Sequence, residues 1–94
     1  MTEREWQAQV VEAATLTRWR HYHAYDSRRS DPGWPDLVLV RDTELLFVEL
    51  KTELGRVSPD QRAWLDALAA AGAEVHVWRP TDFTLVWERL SGQP

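Results

Sequence analysis

Cysteine is absent from this chain of 94 residues. That excludes disulfide staples, thiol nucleophiles and cysteine-ligated zinc, and suits a reducing, cytoplasmic setting. Long hydrophobic runs are missing too. Nothing approaches the roughly 20 apolar residues of a membrane helix, and the N-terminus reads as a charged helix rather than a signal peptide, so no membrane partner is expected. Histidine is scarce, with three in all. His21 and His23 fall on one face of a strand, but no third ligand stands at metal-site spacing, so histidine-based zinc is not expected. Lysine is scarcer still: Lys51 is the single lysine among 11 basic residues. At this length one domain over 1–94 is expected, with a core small enough that a dimer interface would help to stabilise it.

Two apolar runs are present in the middle of the chain. Leu37-Val38-Leu39-Val40 and Leu45-Leu46-Phe47-Val48-Glu49-Leu50 read as β-strands, with Arg41-Asp42-Thr43-Glu44 between them. An antiparallel hairpin centred between Asp42 and Thr43 sets 40 opposite 45, 38 opposite 47, and Asp36 opposite Glu49. Side chains alternate along a strand, so Lys51 shares the face of Glu49, and three functional groups converge at one end of the hairpin. Two carboxylates a strand apart supply hard oxygen ligands to Mg²⁺, and an ammonium beside them can position water or stabilise charge on a phosphate. A surface Asp with a half-solvated Glu-Lys pair is the plainer alternative. Against it, both faces of the second strand are apolar, and such a strand does not ordinarily end in an unpaired Glu and Lys.

The segments GWPDLVLV, LLFVELK and GRVSPDQRAWLDALAAAG followed by VHVW resemble the PD-(D/E)xK nuclease superfamily, and within it the small VRR-NUC type found alone in phages and bacteria. The resemblance covers nearly the whole chain. It implies Asp36 and Glu49 as ligands of Mg²⁺ or Mn²⁺, the backbone carbonyl of Leu50 as a further ligand, and Lys51 as the catalytic lysine. It also implies a glutamate on the first helix near the metal, a place that Glu5 in the phrase Glu5-Trp6-Gln7-Ala8-Gln9-Val10 fits best.

Two of these residues have a second explanation. Thr2 and Glu5 have the spacing of a capping box, which would make Glu5 purely structural. On the other side, Trp6, Val10, Ala13 and Thr17 form a helical stripe, with Glu5, Gln9 and Glu12 on its flank, where a packed helix could carry them to the site. Gln9 is then a candidate contact, and Glu12 the reserve for Glu5. Ser58-Pro59-Asp60-Gln61 is likewise a helix start, with Ser as N-cap, Pro at the first position and Gln closing the box. The resemblance places this Gln61 near the catalytic lysine, and both readings stay open.

The formal net charge of −4 does not exclude DNA, because steering depends on local charge and bound metal would neutralise the acidic centre. Arg18, Arg20, Arg28 and Arg29 cluster before the Gly33 loop, and Ser27-Arg28-Arg29-Ser30 could grip phosphates beside the scissile one, or be a solvated basic loop. Trp34, in the loop before Asp36, could stack on an unpaired base, cover the loop or belong to a dimer interface.

The fold expected is α/β and restriction-endonuclease-like: an α-β-β-β-α-β core with a mixed central sheet flanked by helices. Its early strand runs from about Arg20 to Tyr25, the second helix stops at Gly72, and a parallel strand follows over Val75–Trp78. Thr81–Leu90 fits a final helix or a strand, with the helix favoured. The function expected is that of a Mg²⁺- or Mn²⁺-dependent endodeoxyribonuclease, leaving 5′-phosphate and 3′-hydroxyl ends as the resemblance implies. With no room for a recognition domain, specificity would come from DNA shape, such as four-way junctions or flaps met by a homodimer. A sequence-specific restriction or nicking enzyme and a catalytically idle DNA-binding module are the alternatives.

Overall fold

The computed structural model describes residues 1–24 and 31–92. In chain order these form α1 (Glu3–Leu16), β1 (Arg20–His23), β2 (Leu37–Arg41), β3 (Glu44–Leu50), α2 (Pro59–Ala70), β4 (Glu74–Trp78), a 3₁₀ turn (Pro80–Asp82) and α3 (Phe83–Ser91). This is the expected α/β order with its final helix. β1 ends at His23, and Tyr25 lies outside the described residues. No described helix is long and apolar enough to cross a membrane.

The sheet order is β1-β2-β3-β4. β1 and β3 flank β2 antiparallel, while β4 runs parallel to β3, as the intervening helix requires. In the hairpin, Val40 pairs with Leu45 and Val38 with Phe47, the register that follows from a turn at Asp42-Thr43. Asp42 takes a left-handed conformation there, with φ of 53°, a region its short polar side chain tolerates.

Alternation then divides the sheet into two faces. Leu37, Leu39, Leu46, Val48 and Leu50 are fully buried and form one core with Trp6, Val10, Ala13 and Ala14 of α1 and Val86 and Leu90 of α3. This burial decides the ambiguous last segment. Val86 and Leu90 lie one helical turn apart and are buried, whereas Leu85 and Trp87, which a strand would turn inward with Phe83, are exposed. Thr17, expected on the α1 stripe, is half-buried, and its hydroxyl donates to the Ala13 carbonyl at 2.7 Å. Phe47 projects from the opposite face and meets Trp34 edge-on, and Trp34 in turn meets Trp64 of α2.

Two buried tryptophans tie distant segments together. The Trp6 indole N–H donates to the Trp78 carbonyl at 2.9 Å, and that of Trp19 to the Leu90 carbonyl at 2.9 Å, so neither brings an unpaired donor into the core. α1 and α2 also end alike. The N–H groups of Trp19 and Arg18 bond the Ala14 and Thr15 carbonyls, and those of Ala73 and Gly72 bond Leu68 and Ala69, the double bond of a Schellman motif. Gly72 occupies the left-handed position of one, with φ of 94°, and Arg18 that of the other, with φ of 72°.

A carboxylate cluster as the candidate active site

Asp36 stands at the entrance to β2 and is fixed by its own strand neighbours. Its carbonyl accepts from the Ala24 N–H at 3.2 Å and its Oδ2 from the Leu50 N–H at 2.8 Å. Glu49 lies across the ladder on β3. The first turn of α1 brings Glu3 to the same place, and one carboxylate oxygen from each of Glu3, Asp36 and Glu49 lies within 4.8 Å of the others. The positive end of the α1 dipole meets this concentration of negative charge.

Burial differs sharply across the cluster. Glu3 is exposed and Asp36 intermediate, while Glu49 is 1 % exposed. Loss of solvent, followed by the charge of Asp36, pushes the Glu49 carboxyl from 4.5 up to about 8, with Lys51 opposing the rise. Glu3, although exposed as a residue, is raised by partial loss of solvent around its carboxyl and then by Asp36, with Lys51 again opposing. Lys51, itself 9 % exposed, holds Nζ 3.4 Å from Glu49 Oε2. The same oxygen accepts from Gln61 Nε2 at 2.9 Å. Glu49 Oε1 is buried and has no hydrogen-bond partner among the described residues.

The loops around this centre are held from outside it. The turn after Lys51 is clamped by Arg79, whose Nη1 donates to the Thr52 and Gly55 carbonyls, each at 2.6 Å. Before Asp36, Gly33 takes φ of 88° and passes so close to α2 that a Cβ there would lie 2.3 Å from the Asp60 carbonyl carbon and 2.7 Å from the Gln61 nitrogen. The glycine therefore lets the Asp36 loop rest on the first turn of α2, where Gln61 starts its reach to Glu49. Gln61 is both a cap and a partner of the carboxylate cluster: its Oε1 accepts from the Ser58 N–H at 2.9 Å while its Nε2 donates to Glu49 Oε2 at 2.9 Å.

The structure brings Asp36, Glu49, Lys51 and Gln61 together and corrects the helix-one residue. Glu5 closes a capping box, its Oε1 accepting from the Thr2 N–H at 2.8 Å and its own N–H donating to Thr2 Oγ1. It is exposed and outside the carboxylate cluster. Gln9 and Glu12 are exposed as well, and neither belongs to the cluster. The bond from Trp6 to Trp78 fixes the rotation of α1 so that the opposite flank, Glu3 and Gln7, faces the site. Gln7 Nε2 lies 3.1 Å from His23 Nδ1. Both residues line an open cavity of about 540 Å³ with Arg4, Asp36 and Gln61. The signal for this flank was the i, i+4 spacing of Glu3 and Gln7 across the Trp6-Val10 stripe from Glu5. Ser27, Arg28 and Arg29 lie outside the described residues.

The donor set fits a hard divalent cation. Three oxygen-bearing carboxylates converge, two have their pKa raised by loss of solvent and mutual repulsion, and a buried Glu49 oxygen meets no donor among the described residues. A cation binding to oxygen removes all three costs together.

Comparison with known proteins agrees with this fold. Residues 2–82 match the family described as the VRR-NUC domain. A solved structure titled "VRR_NUC domain protein" superposes with a TM-score of 0.71 at 21 % identity, over 96 % of this chain and 90 % of that one. Hjc from Archaeoglobus fulgidus, titled a Holliday junction resolvase from an archaeal hyperthermophile, superposes with a TM-score of 0.53 at 23 % identity, over 83 % of this chain and 65 % of that one. No curated protein matches the chain significantly.

Proposed function

This chain belongs to the VRR-NUC domain family, and we propose that it is a Mg²⁺- or Mn²⁺-dependent endodeoxyribonuclease. The observation that carries the reading is the convergence of Glu3, Asp36 and Glu49 beside Lys51, with a buried Glu49 oxygen left without a partner among the described residues. Asp36 and Glu49 would hold the cation, with Glu3 and the Leu50 carbonyl as further oxygen ligands. When bound, a divalent cation supplies neutralising charge for a phosphate and acidifies water.

The side chains divide the remaining work. Lys51 is the cation that the chain itself places at the cluster; its ammonium, steadied by Glu49 Oε2, donates to the attacking water or to the phosphate oxygen on which charge builds. Gln61, bonded to that same Oε2, holds the Glu49 carboxylate in one rotamer and leaves Oε1 for the cation. Arg79 fixes the turn that carries Lys51. Hydrolysis leaves a 5′-phosphate and a 3′-hydroxyl. Branched DNA is the substrate we favour, cut by a homodimer whose two sites meet symmetric strands. The fold shared with a protein titled a Holliday junction resolvase supports that choice.

Labelled linear, flap and four-way DNA incubated with and without Mg²⁺ or Mn²⁺ tests the reading, alongside Asp36→Asn and Lys51→Ala. Cation-dependent cutting of the branched substrates, lost in both variants, is expected. Cutting that survives excess chelator or Lys51→Ala overturns the mechanism. An idle module would show no cutting, and no Mn²⁺ site in calorimetry that Asp36→Asn removes.

A further inference from the structure

Beside the carboxylate cavity lies a second one of about 270 Å³, lined by Tyr22, Ala24, Asp31, Trp34 and Trp64. We propose that it is a nucleobase subsite, taking one unpaired base of the bound strand; the proposal rests on the nuclease reading above and names what its site selects.

Position comes first. Tyr22 pairs with Val38 on the neighbouring strand, and Ala24 bonds the Asp36 carbonyl. Alternation puts Tyr22, Val38 and Asp36 on one sheet face, with Tyr22 and Asp36 as diagonal neighbours about 7–8 Å apart. The two cavities share Ala24, Asp31 and Trp34, so they adjoin. A strand with its phosphate at Asp36 therefore directs the adjoining base along the sheet toward Tyr22.

The lining then identifies the occupant. Among the described residues, three aromatic side chains line a space smaller than the roughly 300–1,000 Å³ of small-molecule sites, which suits one planar ring. Trp34 cannot collapse into it, because Phe47 and Trp64 hold it edge-on at 5.7 and 4.9 Å. Tyr22 is 65 % exposed, so its ring is available for stacking. Asp31 repels a phosphate but accepts from the N–H groups on a base edge, which favours the base over its backbone. A base held in a duplex has both its faces and its edge engaged, so only an unpaired or flipped one can enter. The subsite would thus favour strands with a nucleotide freed from pairing beside the cut, as at a flap or a junction.

The test measures binding of the full chain carrying Glu49→Gln, so that DNA remains uncut, with labelled duplexes that are fully paired or contain one unpaired nucleotide. Tyr22→Ala is expected to weaken binding to the unpaired substrate about tenfold, to leave the paired duplex unchanged, and to be restored by Tyr22→Phe. An abasic residue in place of the unpaired base should cost the same factor and show no further loss with Tyr22→Ala. Equal loss on both duplexes, loss that persists with the abasic substrate, or no loss at all overturns the subsite. A change in solution mass in Tyr22→Ala would make the cavity a contact between copies, which also overturns it. Binding is read without cleavage, so a wild type that leaves linear, flap and four-way DNA all uncut removes the nuclease reading, while base dependence still decides the subsite.

Discussion

Replacing Gly33 by alanine should cost far more than the same change at Gly72, although the two glycines have nearly the same backbone. Their φ angles are 88° and 94°, so an L side chain pays the left-handed penalty at both, about 1 kcal/mol. At Gly72 nothing lies within 4 Å of the added Cβ, and the cost ends there. At Gly33 the Cβ falls 2.3 Å from the Asp60 carbonyl carbon and 2.4 Å from its oxygen, where carbon contacts need roughly 3.5–4.0 Å. Loop and helix must part by more than about 1 Å. Overpacking of this kind costs about 1–3 kcal/mol, and separation stretches the 2.9 Å bond from Gln61 to Glu49, worth about another 0.5–1.5 kcal/mol with the neutral carboxyl that the metal-free protein holds below about pH 8. Gly33→Ala should therefore lose about 2.5–5.5 kcal/mol, a large part of the roughly 5–15 kcal/mol that stabilises a small domain. Urea unfolding of wild type, Gly33→Ala and Gly72→Ala, with equal slopes, measures the difference. Mn²⁺ calorimetry on the folded Gly33→Ala protein should show weaker binding. If the two alanine variants fall within 1 kcal/mol of each other, the close approach of the Asp36 loop to α2 does not support the site, and the reasoning fails.

Arg18→Gly should act in the opposite direction, raising stability by about 1 kcal/mol in the same urea assay, because arginine sits at the left-handed helix stop where glycine is unstrained. In the metal-free protein, Glu49 retains in the folded state, up to about pH 8, a proton that the unfolded chain releases near 4.5; stability should fall by a few kcal/mol as pH rises through that window. Glu49→Gln should flatten this loss in thermal melts with chelator, and parallel profiles would refute the shift. Glu74 has the reverse sign: Arg89, and then His76, hold it down at about 2, so its contribution is present above about pH 4.5 and lost as pH falls through 2. The carboxylate is 39 % exposed, so that contribution is screened to below about 1 kcal/mol, and Glu74→Gln with added salt should remove it. Finally, the Arg41 guanidinium donates to the Leu90 carbonyl at 2.7 Å and to that of Gly92 at 2.6 Å, and lies 4.5 Å over the Trp19 ring. Arg41→Lys cannot reproduce that fork and should cost about 2 kcal/mol, with faster amide exchange at the end of α3.

Much of the site was legible because it is local. Asp36, Glu49 and Lys51 span one hairpin, and pairing arithmetic from a turn at Asp42-Thr43 sets them together without reference to the rest of the chain. The helix starts at Thr2 and Ser58 and the stop at Gly72 were equally readable, since a cap is a contact between residues a few positions apart. The choice between Glu5 and Glu3 was of another kind. Both lie in the first turn of α1, and what selects Glu3 is the rotation of that helix, set by an indole bonded to a carbonyl 72 residues away. Gln61 could be read as a cap from its spacing, but its second bond to Glu49 depends on the approach of α2 to the Gly33 loop. Trp34 became a cavity wall only when Phe47 and Trp64, from two other elements, closed on it. The sequence by itself thus determined the acid pair, the lysine and their shared face, because alternation and pairing act over a few residues. Tertiary structure decided the third carboxylate, the second role of the glutamine and the aromatic cavity, because each depends on contacts whose geometry no local period encodes.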